Sequence, residues 1–261
     1  MSLPAPIIQC AFPSIQDPLI VFRSPTSSPK EVQDAVHRLS RHVAAAAKDF
    51  DSTLCHVAMI PILRGAMPMF VATQSMFDSC ACILVRCHKR KGSNEVFVEW
   101  LGRSPFPPVA DDGRLVILDT IIATGDTIVQ LCDELWETSG HATRSVVIMA
   151  CYAAPEALEK VAKHPIVQYV VVAQKANSCD PAGYLVPYTH GDIGDKLFGV
   201  RRQEAVVVAE GQDVGAVTAG IESLLMKNGG LWTLTQDGTG IEREIQFQTF
   251  KAAWVGFPRH A

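Results

Sequence analysis

The sequence predicts an α/β fold in which helices flank a parallel sheet, with a small α+β appendage at the C-terminal end. The first observation is that short apolar runs alternate with amphipathic runs between residues 114 and 173. Strands that are apolar on both faces are typical of parallel sheets covered by helices. The second is size, since 261 residues with 48% hydrophobic content suit one sizeable domain and a smaller addition. The third is that residues 211–261 carry a pattern of their own.

The N-terminal part begins with an arm and continues into a helix. Residues 1–27 are rich in Pro and Ser and have no stable periodicity, so we expect an N-terminal arm there. Ser28 then precedes Pro29 and stands three residues before Glu31, which predicts a capping box at the start of a helix. The apolar positions that follow keep helical spacing.

Strands and helices alternate along residues 28–205, which we assign to the main domain. Helices are predicted near 126–138, before a stop at Gly140, and from Pro155 onward. The predicted strands are 56–63, 80–86, 114–118, 145–152 and 167–173. In parallel sheets of this kind ligands bind at the carboxyl ends of the strands, so functional residues are expected there.

Composition and charge exclude several classes of partner. The formal net charge of −4 predicts no broad cationic surface for nucleic acid. The N-terminus "MSLPAPIIQC" lacks the features of a secretory signal, and no apolar run approaches the ~20 residues of a membrane helix. The 8 cysteines lack the CxxC spacing of zinc sites and lie mostly in apolar runs, as reduced core thiols do. We therefore expect a soluble, cytoplasmic protein with no nucleic-acid or membrane partner.

The stretch "VILDTIIATGDT" joins an apolar strand to a helix through Asp119 and a cluster of small residues. Small side chains from Ala123 to Thr127 allow backbone N–H groups to face a ligand, and Gly125 can adopt a positive φ. The start of the helix adds partial positive charge. These features suit a phosphate, and the loop matches neither the Walker A nor the GxGxxG pattern. An ordinary turn, in which Asp126 and Thr127 merely cap the helix, has the same composition.

Three further segments give the phosphate loop a family context. The stretch "VILDTIIATGDT" resembles the phosphoribosyl pyrophosphate (PRPP) motif of type I phosphoribosyltransferases. "IPILRGAMPM" and "GYLVPYTHGDIGDKLFG" resemble two signatures of uracil phosphoribosyltransferases, and "AAPEALEKVAKHP" resembles the segment between them. Order and spacing agree over residues 15–200. The resemblance implies a type I phosphoribosyltransferase-like fold and transfer of phosphoribose from PRPP to uracil, as in pyrimidine salvage.

The resemblance also implies roles for individual residues at the PRPP site. Asp119 matches the acid that holds the ribose hydroxyls, and Asp192 matches the acid near the metal, which is Mg²⁺ in this family. Arg64 and Arg86 match arginines that face the pyrophosphate, to which guanidinium groups make paired hydrogen bonds. The 5′-phosphate loop consists of Ala123, Thr124, Gly125, Asp126 and Thr127.

The base site implied by the resemblance is built largely from backbone. Leu185, Gly191 and Ile193 match positions whose main-chain groups read the edge of uracil, and His190 lies among them. Backbone donors and acceptors discriminate well, because a base that lacks a partner leaves a buried polar group unsatisfied.

The sequence departs from the uracil enzymes in four places, and one of them is the stretch "QKANSCDPAGY" (174–184), which lacks the Asp and Asn of its counterpart. Asp126 replaces a second Gly in the phosphate loop, "RGAMPM" moves a Gly by one position to Gly65, and "VPYTHGD" is one residue longer than its counterpart. Three hypotheses therefore stay open. The chain is a uracil phosphoribosyltransferase, a PRPP-fold enzyme recruited to a different substrate, or a non-catalytic protein that binds PRPP or a nucleotide.

The C-terminal appendage, residues 211–261, has a second resemblance. Its Trp232, a turn at Asp237–Gly238, the alternating stretch "IEREIQF" and the stretch "FKAAWVGF" resemble the first half of pterin-4a-carbinolamine dehydratases. The His-His-Pro stretch of that family would follow Ala261, so dehydratase activity is not expected. Both families assemble into oligomers, and we expect a homodimer to which the appendage contributes.

Overall fold

An eight-stranded sheet organises the first of two units in the computed structural model, which divides the chain into Met1–Gly199 and Val200–Ala261. The residues described in the first unit are 3–89, 95–102, 114–138, 146–179, 185–186 and 193–199. In the second they are 220–221, 224, 232–234 and 241–242. The sheet strands are β1 (Ile7–Gln9), β2 (His56–Leu63), β3 (Ser79–Cys82), β4 (Leu84–Lys89), β5 (Val96–Leu101), β6 (Arg114–Ile122), β7 (Val146–Ala153) and β8 (Val167–Lys175).

The sheet has the order β1-β8-β7-β6-β2-β4-β5, with β3 also paired to β2. Every pairing is parallel except the antiparallel β4–β5 hairpin. All eight residues of β7 are buried, so this strand is covered on both faces, as its continuous apolar sequence predicts. The α/β class and the parallel sheet predicted from the sequence are confirmed.

Six helices accompany the sheet in the described residues. They are α1 (Gln16–Arg23), α2 (Pro29–Phe50), α3 (Met67–Thr73), α4 (Asp126–Thr138), α5 (Pro155–Ala162) and α6 (Ile193–Phe198). The capping box predicted for α2 is present, because the Ser28 side chain accepts from the Glu31 backbone and Glu31 accepts from the Ser28 backbone. The apolar face of α2 is buried at Val32, Val36 and Leu39, and this helix packs against β7 and β8.

The N-terminal segment is ordered, which its composition did not predict. β1 pairs with β8 in parallel, with Ile7 opposite Val170, and so forms one edge of the sheet. α1 packs against α2 and buries Leu19 and Phe22. This segment therefore contributes to the core of the first unit.

The strand predicted at 80–86 is in fact two strands. β3 pairs with the first half of β2, where Cys82 lies opposite Met59. β4 pairs with the end of β2, where Val85 lies opposite Ile62. The buried residue Ile83 joins the two. The sequence gives no break at this step, because apolar residues continue from 80 to 85 without a turn residue.

Small pairs of strands complete the description. β9 (Ser178–Cys179) and β10 (Leu185–Val186) are antiparallel partners in the first unit. In the second unit, β11 (Thr233–Leu234) pairs antiparallel with β12 (Ile241–Glu242). These two strands lie on either side of the predicted turn at Asp237–Gly238, which is outside the described residues. Within the described residues, no helix has both the length and the apolar character that crossing a bilayer requires.

Candidate functional site

The predicted phosphate loop connects the end of β6 to the start of α4. Gly125 has φ +77°, a conformation that favours glycine, and its carbonyl accepts from Val129 N in the first turn of α4. A Cβ at Gly125 would lie 3.1 Å from Ala157 O and 3.2 Å from Val161 Cγ2. The loop therefore packs closely against α5, and only glycine fits this position without a shift of the neighbouring helix.

Asp126, the first residue of α4, is held by two polar partners. Thr124 Oγ1 donates to Asp126 Oδ2 at 2.8 Å. Lys160 Nζ, on α5, donates to Asp126 Oδ1 in a salt bridge. Both carboxylate oxygens are thereby engaged. The exposed Thr124 and the half-buried Thr127 lie at the N-terminal end of α4, which is where a phosphate would bind.

Asp119 lies near the carboxyl end of β6, opposite Ala150 of β7. Solvent reaches part of the residue, but protein surrounds its carboxyl group, and this burial raises the pKa of Asp119 to about 7. Hydrogen bonds from the backbone of Ile121 and Thr120 act in the opposite direction and lower the pKa. Asp119 is therefore a carboxyl group that titrates near neutrality at the end of a central strand.

Arg64 directly follows β2 and reaches a residue far along the chain. Its Nη2 donates to Asp195 Oδ1 of α6 at 2.6 Å. Gly65, the next residue, is in close contact with two elements. Thr120 Oγ1 donates to its carbonyl at 2.7 Å, and a Cβ added at Gly65 would lie 3.0 Å from Ile193 Cγ2. The segment after β2 is thus held between β6 and α6, and the peptide bond between Leu63 and Arg64 is cis.

Arg86 lies on β4 at the same end of the sheet. Its strand partner is Leu63, the residue before Arg64. Across the hairpin, Arg86 Nη1 donates to Glu99 Oε2 at 3.2 Å, and both side chains are about half exposed. Of the two arginines predicted to face pyrophosphate, Arg86 therefore lies on β4 and Arg64 directly after the neighbouring strand β2, and each donates to a carboxylate.

The predicted base-binding residues are only partly described. Leu185 is buried in β10, opposite Cys179, and Ile193 begins α6. His190, Gly191 and Asp192 lie outside the described residues.

Helix α6 is anchored by the N-terminal part of the chain. Lys196 Nζ donates to Phe22 O at 2.6 Å, and Gln33 Nε2 donates to Leu197 O at 2.7 Å. Burial lowers the pKa of Lys196. α1 and α2 thereby hold the helix that contacts Arg64 and Gly65.

The sequence did not predict the contacts that three residues make at the site. Lys160 pairs with Asp126, Thr120 donates to the Gly65 carbonyl, and Asp195 accepts from Arg64. The unusual Asp126 was a signal that a cation should be near, because a carboxylate at a phosphate site needs compensation. The identity of that cation depends on how α5 packs.

A metal site cannot be assembled from the described side chains alone. Among the residues that the structure describes, no group of three or more His, Cys, Asp or Glu could hold a metal ion. Mg²⁺ in phosphate chemistry is held by one or two carboxylates together with substrate oxygens and waters, so such a cage is not required.

Comparisons with known proteins place these features in a family context. The family model described as uracil phosphoribosyltransferase matches residues 46–200, more than half of the chain. The chain is 27% identical over 188 residues to urg2 of Schizosaccharomyces pombe, named as a candidate uracil phosphoribosyltransferase, and the match covers 72% of this chain and 87% of urg2. It is 30% identical over 146 residues to the uracil phosphoribosyltransferase of Thermococcus kodakarensis, a match covering 55% of this chain and 60% of that enzyme.

A solved structure shares the fold. The AQ2163 protein from Aquifex aeolicus superposes with a TM-score of 0.63 at 20% sequence identity. The superposition covers 74% of this chain and 98% of that one. At this level of identity the similarity concerns the fold alone.

Proposed function

Since the chain belongs to the uracil phosphoribosyltransferase family, we propose that it transfers the phosphoribosyl group of PRPP to a pyrimidine base and releases pyrophosphate. The base expected from the resemblance is uracil, which would yield UMP. The single observation that carries the proposal is that the loop Ala123–Thr127, Asp119 and Arg64 lie at the carboxyl ends of two adjacent parallel strands, β6 and β2. Thr120 links them directly, since its hydroxyl binds the Gly65 carbonyl.

Substrate binding follows from the chemistry of these groups. The loop and the start of α4 offer backbone N–H groups and Thr hydroxyls to the 5′-phosphate. Asp119, when ionised, accepts hydrogen bonds from the ribose hydroxyls. Arg64 and Arg86 take the pyrophosphate, and their present partners Asp195 and Glu99 keep the guanidinium groups in place.

The transfer itself needs no covalent intermediate with the protein. N1 of the base gives up its proton to solvent and bonds to C1 of the ribose as the bond from C1 to the pyrophosphate oxygen breaks, through an oxocarbenium-like state. The protein contributes alignment of the two substrates and stabilisation of the departing polyanion. We place the first contribution in the phosphate loop and Asp119, and the second in the two arginines.

Mg²⁺ belongs to the proposal as a companion of the substrate. Bound to pyrophosphate oxygens, it would neutralise charge on the leaving group. Asp192 is the carboxylate that the resemblance assigns to it. A metal that takes most of its ligands from the substrate and water needs only one or two such carboxylates.

A panel of bases incubated with PRPP and Mg²⁺, read by pyrophosphate release, tests the reaction. Uracil is expected to give turnover, and the variant Asp119→Ala with Thr127→Val is expected to lose most of its PRPP affinity in calorimetry, because ribose and phosphate contacts are both removed. Unchanged PRPP affinity in that variant would show that these residues do not form the PRPP site.

The same panel decides between the proposal and its alternatives. The lengthened stretch "VPYTHGD" favours a changed base specificity as the second candidate. Turnover of another base without turnover of uracil would establish that candidate. PRPP binding without turnover of any base would instead indicate a non-catalytic binding protein.

The proposal extends to assembly, location and the appendage. We expect a homodimer in the cytoplasm, on the family resemblance and the apolar sequence of residues 211–261. The antiparallel β11–β12 pair supports the expectation of a hairpin in a dehydratase-like appendage.

A further inference from the structure

The salt bridge between Lys160 and Asp126 is a feature of the phosphate loop that the family resemblance does not imply. Asp126 stands where the resemblance predicts a second Gly, so the loop carries a carboxylate at the start of α4. One oxygen of that carboxylate accepts from Thr124 and the other from Lys160. The Asp126 side chain is 29% exposed and that of Lys160 48%, so the pair lies at the surface of the site.

An unpaired carboxylate here would oppose phosphate binding. Charges of like sign a few ångströms apart repel, and the repulsion is larger near protein than in bulk water. The partial positive charge at the start of α4 also attracts Asp126, which therefore competes with a phosphate for the same helix end. A cation paired with Asp126 offsets the repulsion of the phosphate and draws the carboxylate away from the end of α4.

The packing of α5 explains why Lys160 reaches the loop. Ala157 contacts Gly125, and Lys160 is three residues further along α5, on the same face of the helix. Leu158 and Val161 are buried and fix the rotation of α5 about its axis. The Lys160 ammonium is thereby directed to Asp126, and the Asp126 carboxylate is turned toward α5.

We propose that Lys160 is a positioning residue for phosphoribosyl binding: it neutralises Asp126 and holds that carboxylate against α5, so that the loop can accept a phosphate. The inference rests on the proposed function, because it assumes that the loop receives the 5′-phosphate of PRPP. Lys160 acts through Asp126 and makes no contact with the substrate. The Lys160–Asp126 pair thus compensates for the loss of the second Gly.

A double-mutant cycle on the full chain tests the proposal. Lys160→Met removes the ammonium and keeps the apolar stem. It is expected to raise the Kd for PRPP with Mg²⁺, measured by calorimetry, about tenfold, which is about 1.4 kcal/mol. Asp126→Asn in the Lys160→Met background is expected to restore most of the affinity, since it removes the charge that Lys160 compensated. Lys160→Arg keeps the charge and is expected to bind nearly as well as the wild type.

Two controls separate the loss of the Lys160–Asp126 pair from a general loss of positive charge and from a general loss of anion binding. Lys163→Met removes the same charge from an exposed position at the end of α5, and it is expected to leave the Kd for PRPP unchanged. Pyrophosphate with Mg²⁺ binds through the arginines, so its Kd is expected to be the same in Lys160→Met and the wild type. Thermal unfolding establishes that each variant is folded.

The outcomes are distinct. Equal PRPP affinity of Lys160→Met and the wild type would overturn the proposal. Failure of Asp126→Asn to rescue Lys160→Met would also overturn it, because Lys160 would then bind the phosphate itself. If the wild type does not bind PRPP while it still binds pyrophosphate, the proposed function fails and this inference falls with it.

Discussion

At the scale of single residues, Asp119 illustrates how position changes the chemistry of a side chain. The ordinary pKa of an aspartate is near 3.8, and burial at the end of β6 raises that of Asp119 to about 7. The charge of Asp119 is also felt by two thiols, Cys87 on β4 and Cys151 on β7. Burial, reinforced by that charge, raises the pKa of each to about 12. Neither thiol is therefore a ready nucleophile near neutral pH.

The raised pKa of Asp119 predicts a pH-dependent stability. Between about pH 4 and pH 7 the folded protein keeps a proton on Asp119 that the unfolded chain has lost, so the free energy of unfolding falls as pH rises through this window. Asp119→Asn does not titrate. Its stability relative to the wild type is expected to increase from about pH 4 to about pH 7 and to stay constant above, measured by urea unfolding at several pH values.

A control for the loss of any carboxylate is Asp49→Asn, at the exposed end of α2. The Asp119 interpretation fails if the stability difference between Asp119→Asn and the wild type is the same at about pH 5 and about pH 8.

At the scale of elements, α5 links two parts of the site. Its Ala157 and Lys160 contact the phosphate loop, and Glu156 accepts from the backbone N–H of Cys179 in β9 at 2.7 Å. β9 in turn pairs with β10, which carries Leu185. One short helix therefore supports the predicted phosphate and base sites together.

The contact between α5 and the loop predicts a cost for a side chain at position 125. Gly125→Ala forces a residue with a Cβ into φ +77° and places that Cβ 3.1 Å from Ala157 O. Each source of strain is expected to cost about 1–3 kcal/mol of unfolding free energy. PRPP affinity is expected to fall as well, because the loop or α5 must move. Urea unfolding and calorimetry measure the two effects.

Gly199→Ala is the matched control. Gly199 has φ +79°, and a Cβ there would have no atom of the described residues within 4 Å. This variant carries the conformational strain without the crowding, so the difference between the two variants isolates the contact with α5. Equal destabilisation by both would contradict the close packing of the loop.

At the scale of the whole molecule, the chain consists of two units with different roles in the proposal. All of the described site residues belong to Met1–Gly199, and the family match ends at residue 200. The second unit, Val200–Ala261, contains Trp232 and several apolar stretches. A segment of this size buries little apolar surface by itself, so we propose that it contributes to the expected homodimer.

Deletion of residues 211–261 tests the role of the C-terminal appendage. The truncated protein is expected to bind PRPP as the full chain does and to be less soluble or no longer dimeric, because apolar surface loses its partner. Light scattering and PRPP calorimetry measure the two properties. A soluble truncation with the same number of chains per particle as the full protein would identify the appendage as a passive segment.

The sequence by itself determined the features that depend on neighbours along the chain. The capping box at Ser28 and Glu31 set the start of α2, apolar periodicity identified α4 and α5, and continuous apolar runs identified β6, β7 and β8. The stretch with Asp119 and Gly125 identified a candidate phosphate loop. Each of these signals arises from interactions within a few residues, so it can be read locally.

Only the tertiary structure decided which distant residues meet. β1 is a strand because β8 offers it an edge, and the stretch 80–86 is divided because β2 pairs with each part separately. The pairing of Lys160 with Asp126, the close contacts of Gly65 and the raised pKa of Asp119 depend on the packing of elements that lie far apart in the sequence. Burial and ion pairing are properties of the packed chain, whereas caps and periodicity are properties of its local segments.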